Sequence, residues 1–311
     1  MMSDLELKKE YQALTDESGF VILENRTTVE LKGDDRNAFL HNFCTNDIKK
    51  LEPGNACEAF VLNGKGKILG YVHVLALEKE LLLTGHGDQS SVLIEHLDKY
   101  VIREDVELAN RTDDFVSVFV CGQASIEKLA GLVSELPDAN KISPGPIGKS
   151  RVRICNVEVA GSGFLLMTRK SDLEALELAL TEAGIVKCSA NALELVRVER
   201  KTPWFSLDVD ETNLPQELQR DDKAISFDKG CYLGQETVAR IDARGRVNQL
   251  LVGFTFESED DAKQGELVVD EKAAGRVTSL VKLPNGENIG LGYVRRQFME
   301  SGTKVCGAIV R

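Results

Sequence analysis

The sequence predicts an α+β protein: two α+β units built on antiparallel sheets, followed by a small carboxy-terminal β-barrel. Three observations carry that reading. Paired apolar runs joined by glycine-bearing turns are followed by a stretch of helical spacing, and the pattern occurs twice. After Arg246 helical spacing gives way to short apolar runs separated by glycines. The 311 residues, 42% of them apolar, can fill a sizeable core divided among two or three domains.

Taken in order, the segment to about Thr15 reads as a polar helix or frayed arm, and Gly19 to Leu31 alternates as one strand. Asp34 or Asp35 is placed to cap a short helix through Phe43, with Ala38, Phe39 and Phe43 inward. Glu58 to Leu62 and Lys67 to Leu77 read as two strands joined by Asn63-Gly64-Lys65-Gly66. That turn lacks the spacing of a phosphate-binding P-loop, so it reads as a hairpin. Glu80 to Thr84 continues the sheet, and Ser90 to Tyr100 has helical spacing with Val92, Leu93, Ile94 and Leu97 toward the core. Phe115 to Cys121 is a strand, and Gln123 to Leu136 a helix with Ile126, Leu129, Leu132 and Val133 inward. Ser143-Pro144-Gly145-Pro146 reads as a loop. Arg151 to Val159 pairs with Phe164 to Thr168, and Ser171 with Glu174 makes a capping box for a helix to Ala183. Short strands follow at Gln249 to Glu257, Gly265 to Val269, Gly275 to Lys282, Gly290 to Arg295 and Lys304 to Val310. The expected divisions are residues 1–145, 146–245 and 246–311.

Composition excludes some functions. A net charge of −12 argues against extensive nucleic-acid binding, whose affinity comes from clustered Lys and Arg. No apolar run approaches the roughly 20 residues of a membrane helix. The charged start lacks the apolar core of a signal peptide, so a cytoplasmic protein with no membrane partner is expected. Seven cysteines stand singly, with no C-x-x-C pair and no histidine at ligand spacing, which excludes a disulfide framework and a stable metal site. His41, His73, His86 and His96 are isolated and read as structural or surface residues.

The stretch from Ser226 to Arg240 packs glycine, cysteine, amide and both charges into one span. Gly230 and Gly234 bracket Cys231, as expected of a thiol presented from a fixed loop. Lys229 and Arg240 give it a positive neighbourhood that favours thiolate. On residue type alone a free cysteine is a small buried apolar group, and both readings stand. Arg240, Arg244 and Arg246 around Gly245 are either the exposed arginines of a strand-turn-strand or a patch for an anionic ligand tail or acidic partner.

Lys229-Gly230-Cys231-Tyr232-Leu233-Gly234-Gln235-Glu236 resembles the K-G-C-Y-x-G-Q-E signature of the YgfZ family, folate-binding relatives of the glycine-cleavage T-protein that support iron-sulfur cluster assembly or repair. Leu31 to Asp35 with Phe39-Leu40, Thr45-Asn46-Asp47 and Pro53-Gly54 are similar to the family's amino-terminal pattern, so the resemblance runs from about Val29 to the end. It implies two α+β domains and a barrel meeting around a central opening where tetrahydrofolate or another reduced folate binds. It also implies iron-sulfur assembly or client proteins as partners. Glu217 matches the glutamate that hydrogen-bonds the pterin, and Lys229, Arg240 and Arg246 join it as folate-binding candidates. Cys231 is then the functional thiol, a transient iron-sulfur ligand. Lys201 stands where the R-x-E-x-G pattern has glycine. The aspartate of active aminomethyltransferases falls at or near Ser91, and a hydroxyl cannot replace a carboxylate, although Asp88 is near. The expectation is a folate-binding accessory protein. Its rivals are a tetrahydrofolate-dependent aminomethyl- or methyltransferase and an adaptor that has lost the ligand.

Overall fold

The structure, a computed structural model, describes residues 3–311. Helix α1 (Asp4–Thr15) opens with a capping box: Ser3 Oγ accepts from Glu6 N, and the Glu6 carboxylate accepts from Ser3 N. The single strand expected from Gly19 to Leu31 is two, β1 (Gly19–Leu23) and β2 (Arg26–Lys32). Asn25 turns left-handed between them, at φ 52°, and each strand enters a different sheet. In α2 (Arg36–His41), Phe39 and Leu40 point inward but Ala38 is exposed. The hairpin of β3 (Ala56–Leu62) and β4 (Ile68–Ala76) forms as expected, and β5 (Glu80–His86) follows it. Helix α3 (Ser90–Asp98) buries Leu93 and Leu97 while Val92 faces solvent. Next come β6 (Glu107–Asn110) and β7 (Phe115–Cys121). The helix expected to reach Leu136 is only α4 (Ser125–Ala130), which stops at Gly131 and leaves Ile126 exposed.

The Ser-Pro-Gly-Pro segment is not a loop but the edge strand β8 (Ile142–Ile147), paired with β9 (Ser150–Asn156). An edge is where a sheet tolerates proline. β10 (Phe164–Arg169) leads through a 3-10 turn into α5 (Leu173–Glu182), whose expected capping box is absent because Ser171 Oγ donates to Asp172. β11 (Val186–Lys187), α6 (Ala190–Glu199), α7 (Asp221–Ala224) and α8 (Gln235–Arg244) precede the last sheet. That sheet contains β12 (Gln249–Phe256), β13 (Gly265–Val269), β14 (Lys272–Lys282) and β15 (Asn288–Arg295). The final expected strand splits into β16 (Lys304–Val305) and β17 (Ala308–Val310) at Cys306 and Gly307, both at positive φ.

Three sheets result, ordered β3-β4-β5-β2-β6, β11-β1-β7-β10-β9-β8 and β13-β14-β15-β12-β17-β16. All pairings are antiparallel except β1 with β11. The first two sheets share a core in which Leu75 and Leu82 meet Phe119, Leu165 and Val196. Helices α2 and α3 cover the far face of the first sheet, and α5 covers that of the second. The third sheet curls until β13 approaches β16. Residue 145, expected as a division, falls inside β8, and β1 belongs to the same sheet as β7 to β10, so the two α+β layers interleave along the chain.

Two buried polar junctions tie the layers together. Arg197 on α6 is wholly buried, and all five of its donor hydrogens find partners. They go to both oxygens of Glu194, the Thr202 carbonyl, Ser279 Oγ on β14 and, at 2.5 Å, Asp208 Oδ2. Asp208 also accepts from Thr278, Ser279 and Trp204 N, and Tyr293 on β15 donates to its carbonyl. The second junction centres on Arg220, which bridges Glu58 on β3 and Glu158 beyond β9. Tyr71 completes the shell of Glu58 at 2.8 Å.

His73 lies beside this second junction, with Nε2 4.0 Å from Glu58. Arg220 and Tyr71 already occupy that carboxylate, so burial dominates and pushes His73 down to about 4. An unfolded His73 binds its proton near pH 6.5, so between pH 6.5 and 4 the unfolded state holds more protons and stability falls with pH. Urea unfolding of the wild type is expected to lose about 3 kcal/mol more over that window than His73→Gln. Equal losses would remove His73 as the cause.

Candidate functional site

The loop carrying the cysteine signature is built by partners far away in sequence. Thr45 and Asn46, from the amino-terminal pattern, hold the segment that enters it. Thr45 Oγ1 donates to the Ala224 carbonyl at 2.6 Å, Ser226 N donates to the Thr45 carbonyl, and Asn46 Nδ2 donates to the Lys223 carbonyl. Lys229 is drawn inward. Its Nζ donates to the carbonyls of His41, Cys44 and Asn46 at 2.6, 2.7 and 2.8 Å, and lies 4.6 Å from the Tyr232 ring centroid. Burial lowers the Lys229 pKa and pushes the Tyr232 phenol up to about 12. The loop also packs on the β3-β4 turn through two glycines. Gly234 and Gly66 both have positive φ, and a Cβ on Gly234 would meet the Asn63 carbonyl at 2.6 Å and Gly66 Cα at 2.9 Å. Cys231 is left exposed at the crest, and Phe227, in the segment leading into the loop, is exposed as well.

Glu217 is 4% exposed, in the turn Pro215–Leu218. Its Oε2 accepts from Asn213 Nδ2, Leu214 N and Gln249 Nε2, and among the described residues no donor reaches Oε1. Its neighbours Leu214 and Gln216 line two clefts under α8. One, of about 370 Å³, brings together Arg240, Arg244, Arg246 and Arg296. The first two stand on α8, which replaces the strand-turn-strand alternative, and among the described residues none of the four pairs with a carboxylate. The other, of about 340 Å³, shares Arg246 and Arg296 and adds Gln216, Asp221 and Asp242.

The remaining candidates lie elsewhere. Where His86, Val159 and the segment 202–205 meet, Trp204 stacks on His86 at 4.2 Å and the void left is about 20 Å³. That is room for about one water and not for a pterin. Asp88 accepts from Ser90 Oγ and lines a separate cleft of about 580 Å³ with Ser91, sharing no lining residue with the arginine cleft. A further cleft of about 650 Å³ along β8 to β10 contains none of the sequence-predicted site residues. Among the described residues no cluster of His, Cys, Asp or Glu could hold a metal ion, and no helix is long and apolar enough to cross a membrane. Of the residues named from the sequence, Arg240 and Arg246 line the arginine cleft and Cys231 is exposed; Arg296 joins that cleft from 50 residues beyond Arg246 with no local signal to announce it. Sequence reasoning also places Lys229 against a ligand, whereas its ammonium is held by three carbonyls.

The three sheets and their order define an aminomethyltransferase-like fold. A solved structure of the glycine cleavage system aminomethyltransferase T from Bartonella henselae superposes with a TM-score of 0.83 over 98% of this chain and 87% of that one, at 17% identity. The chain belongs to the family described as GCVT N-terminal domain, matched over residues 3–229. Curated relatives carry several names. A chloroplastic protein of Arabidopsis thaliana with a provisional transferase name is 26% identical over 89% of this chain, which spans 65% of that protein's length. An aminomethyltransferase of Chloroherpeton thalassium is 26% identical over 95% of this chain and 84% of its own. The tRNA-modifying protein YgfZ of Blochmanniella pennsylvanica is 28% identical over 75% of this chain and 70% of its own.

The three-carbonyl clamp yields a test. Burial pushes the Cys44 thiol up to about 11 and holds it inert beneath Lys229. In Lys229→Met three buried carbonyls lose a charged donor, so stability is expected to fall by on the order of 2–4 kcal/mol. Alkylation with peptide mapping is expected to mark Cys231 and Cys306 in the wild type and Cys44 in addition in the variant. Unchanged stability with Cys44 still protected would dismiss the clamp.

Proposed function

We propose that this chain is a cytoplasmic, reduced-folate-binding protein that supports assembly or repair of iron-sulfur proteins, as in the YgfZ branch of its family. The observation that carries the reading is the conjunction at α8. An exposed thiol is held on a fixed loop before the helix, and an arginine-lined cleft without carboxylates lies under it. The unpaired guanidinium groups suit the carboxylates of a folate's glutamate tail. Glu217, with Oε2 filled and Oε1 free of protein donors, is the candidate acceptor for pterin N-H groups. Cys231 would act as a soft ligand, and one thiolate requires a partner protein or small thiol to complete any cluster.

A second reading, one-carbon transfer, is favoured by the aminomethyltransferase relatives that align along nearly the whole chain. Against it, Asp88 and Ser91 open onto a cleft separate from the arginines. Tetrahydrofolate titrated calorimetrically under anaerobic conditions is expected to bind at one site, with affinity at least about tenfold lower in Glu217→Ala and in Arg240→Ala with Arg244→Ala. No binding to folded wild type would remove folate. In cells, Cys231→Ser is expected to lower iron-sulfur enzyme activities at unchanged protein level. One-carbon turnover lost in Asp88→Ala would instead establish the transferase.

A further inference from the structure

One polar side chain beneath the cysteine loop is buried without being fully used. His41, the last residue of α2, is 4% exposed. Its Nδ1 stands 3.2 Å from Asp47 Oδ1 and 3.4 Å from Lys49 N, and the shorter contact, to a carboxylate, places the ring proton on Nδ1. Nε2 then carries the lone pair. Among the described residues it has no hydrogen-bond partner, and unlike the Nε2 atoms of His73 and His96 it is not closed off from solvent. It points at the cysteine loop: a Cβ built on Gly230 would stand 3.9 Å from His41 Nε2, and no other group outside its chain neighbours would come within 4 Å of it. Gly230 is bonded to Cys231, whose Cα lies about 3.8 Å further along the chain. The glycine thus keeps the space before the imidazole open, next to an exposed thiol.

The charges around this space choose between ligands. Lys229 Nζ donates to the His41 carbonyl at 2.6 Å, and Lys229 and Lys49 both set positive charge against the imidazole. Lys50 Nζ lies 3.3 Å from Asp47 Oδ2 and offsets that carboxylate. A bare divalent cation is disfavoured there, whereas an iron centre already bearing sulfide and thiolate carries net negative charge and is suited to it. We propose that His41 Nε2 is a second ligand to an iron-sulfur species on Cys231, so that this chain supplies imidazole and thiolate together and a partner protein or small thiol supplies the rest. The assignment rests on Cys231 acting as a soft ligand, and imidazole is a competent iron ligand beside thiolate. Asp47 is a positioning residue, holding the ring with Nε2 toward the loop.

Anaerobic reconstitution of the full chain with ferrous iron, sulfide and glutathione tests it. The reduced wild type is expected to show, by electron-nuclear double resonance, a nitrogen coupling that changes when histidine is isotopically labelled. His41→Gln is expected to lose that coupling. Gly230→Ala, which puts a methyl before Nε2 and leaves both ligands in place, is expected to lose it as well. Both variants, checked by thermal unfolding, are expected to release iron to a chelator at least about tenfold faster than wild type. A wild-type cluster without the histidine coupling, or equal iron release from all three proteins, would overturn the assignment while leaving Cys231 as a ligand. A cluster held equally by Cys231→Ser, or none on folded wild type, would overturn the reading of Cys231 and the assignment with it.

Discussion

The buried pair of Arg197 and Asp208 is the constraint on which the rest of the molecule depends. Both side chains are removed from water, and the pair is held by groups from α6, from the segment 202–208 and from β14. A charge so placed is stable only while every partner is present, because losing one leaves the other unpaired in an apolar interior. The third sheet is therefore fixed against α6, and α6 against the shared core of the first two sheets. The chain leaving Asp208 has little freedom. It must pass through the Glu217 turn, with Gln249 of β12 on its carboxylate, and reach Arg220 where Glu58 and Glu158 wait. The cysteine loop begins a few residues later.

Lys229 shows how a charged side chain can fix a loop from within. Three carbonyl dipoles around one ammonium close the α2 turn over the cysteine loop, and the two facing glycines let that loop lie on the β3-β4 turn with no side chain between. The thiol at the crest then has its position set by groups from opposite ends of the sequence. Thr45 and Asn46 do the same on the entering side, so the amino-terminal Thr-Asn-Asp pattern and the cysteine signature form one construction.

Much of this was legible in the sequence wherever a local rule applied. The β3-β4 hairpin followed from alternation and a glycine turn, and the change of texture after Arg246 marked the curled sheet. What escaped was decided by contacts distant in sequence or by one backbone angle. Asn25 and Cys306 each break an apparently continuous strand by turning left-handed, which alternation of side chains does not reveal. Lys201 holds φ 56° where the family pattern has glycine, with its ammonium on the Arg311 carbonyl. In the candidate site, the residue types near Cys231 were visible, but the direction of the Lys229 ammonium and the approach of Arg296 are tertiary facts with no local spacing to announce them.

Strand β8 has a meaning beyond its pairing with β9. Pro144 and Pro146 have no N-H to donate to β9, so both occupy positions whose nitrogens face outward, as that of Ile142 does when it donates to Gly54. The outer rim of that sheet thus lacks hydrogen-bond donors at two successive outward positions. A second chain laid alongside could not complete a ladder there, and the opposite rim, β11, is only two residues long. The sheet is blunted at both ends against edge-to-edge association, a safeguard against aggregation written into a segment that by composition resembles a mere connector.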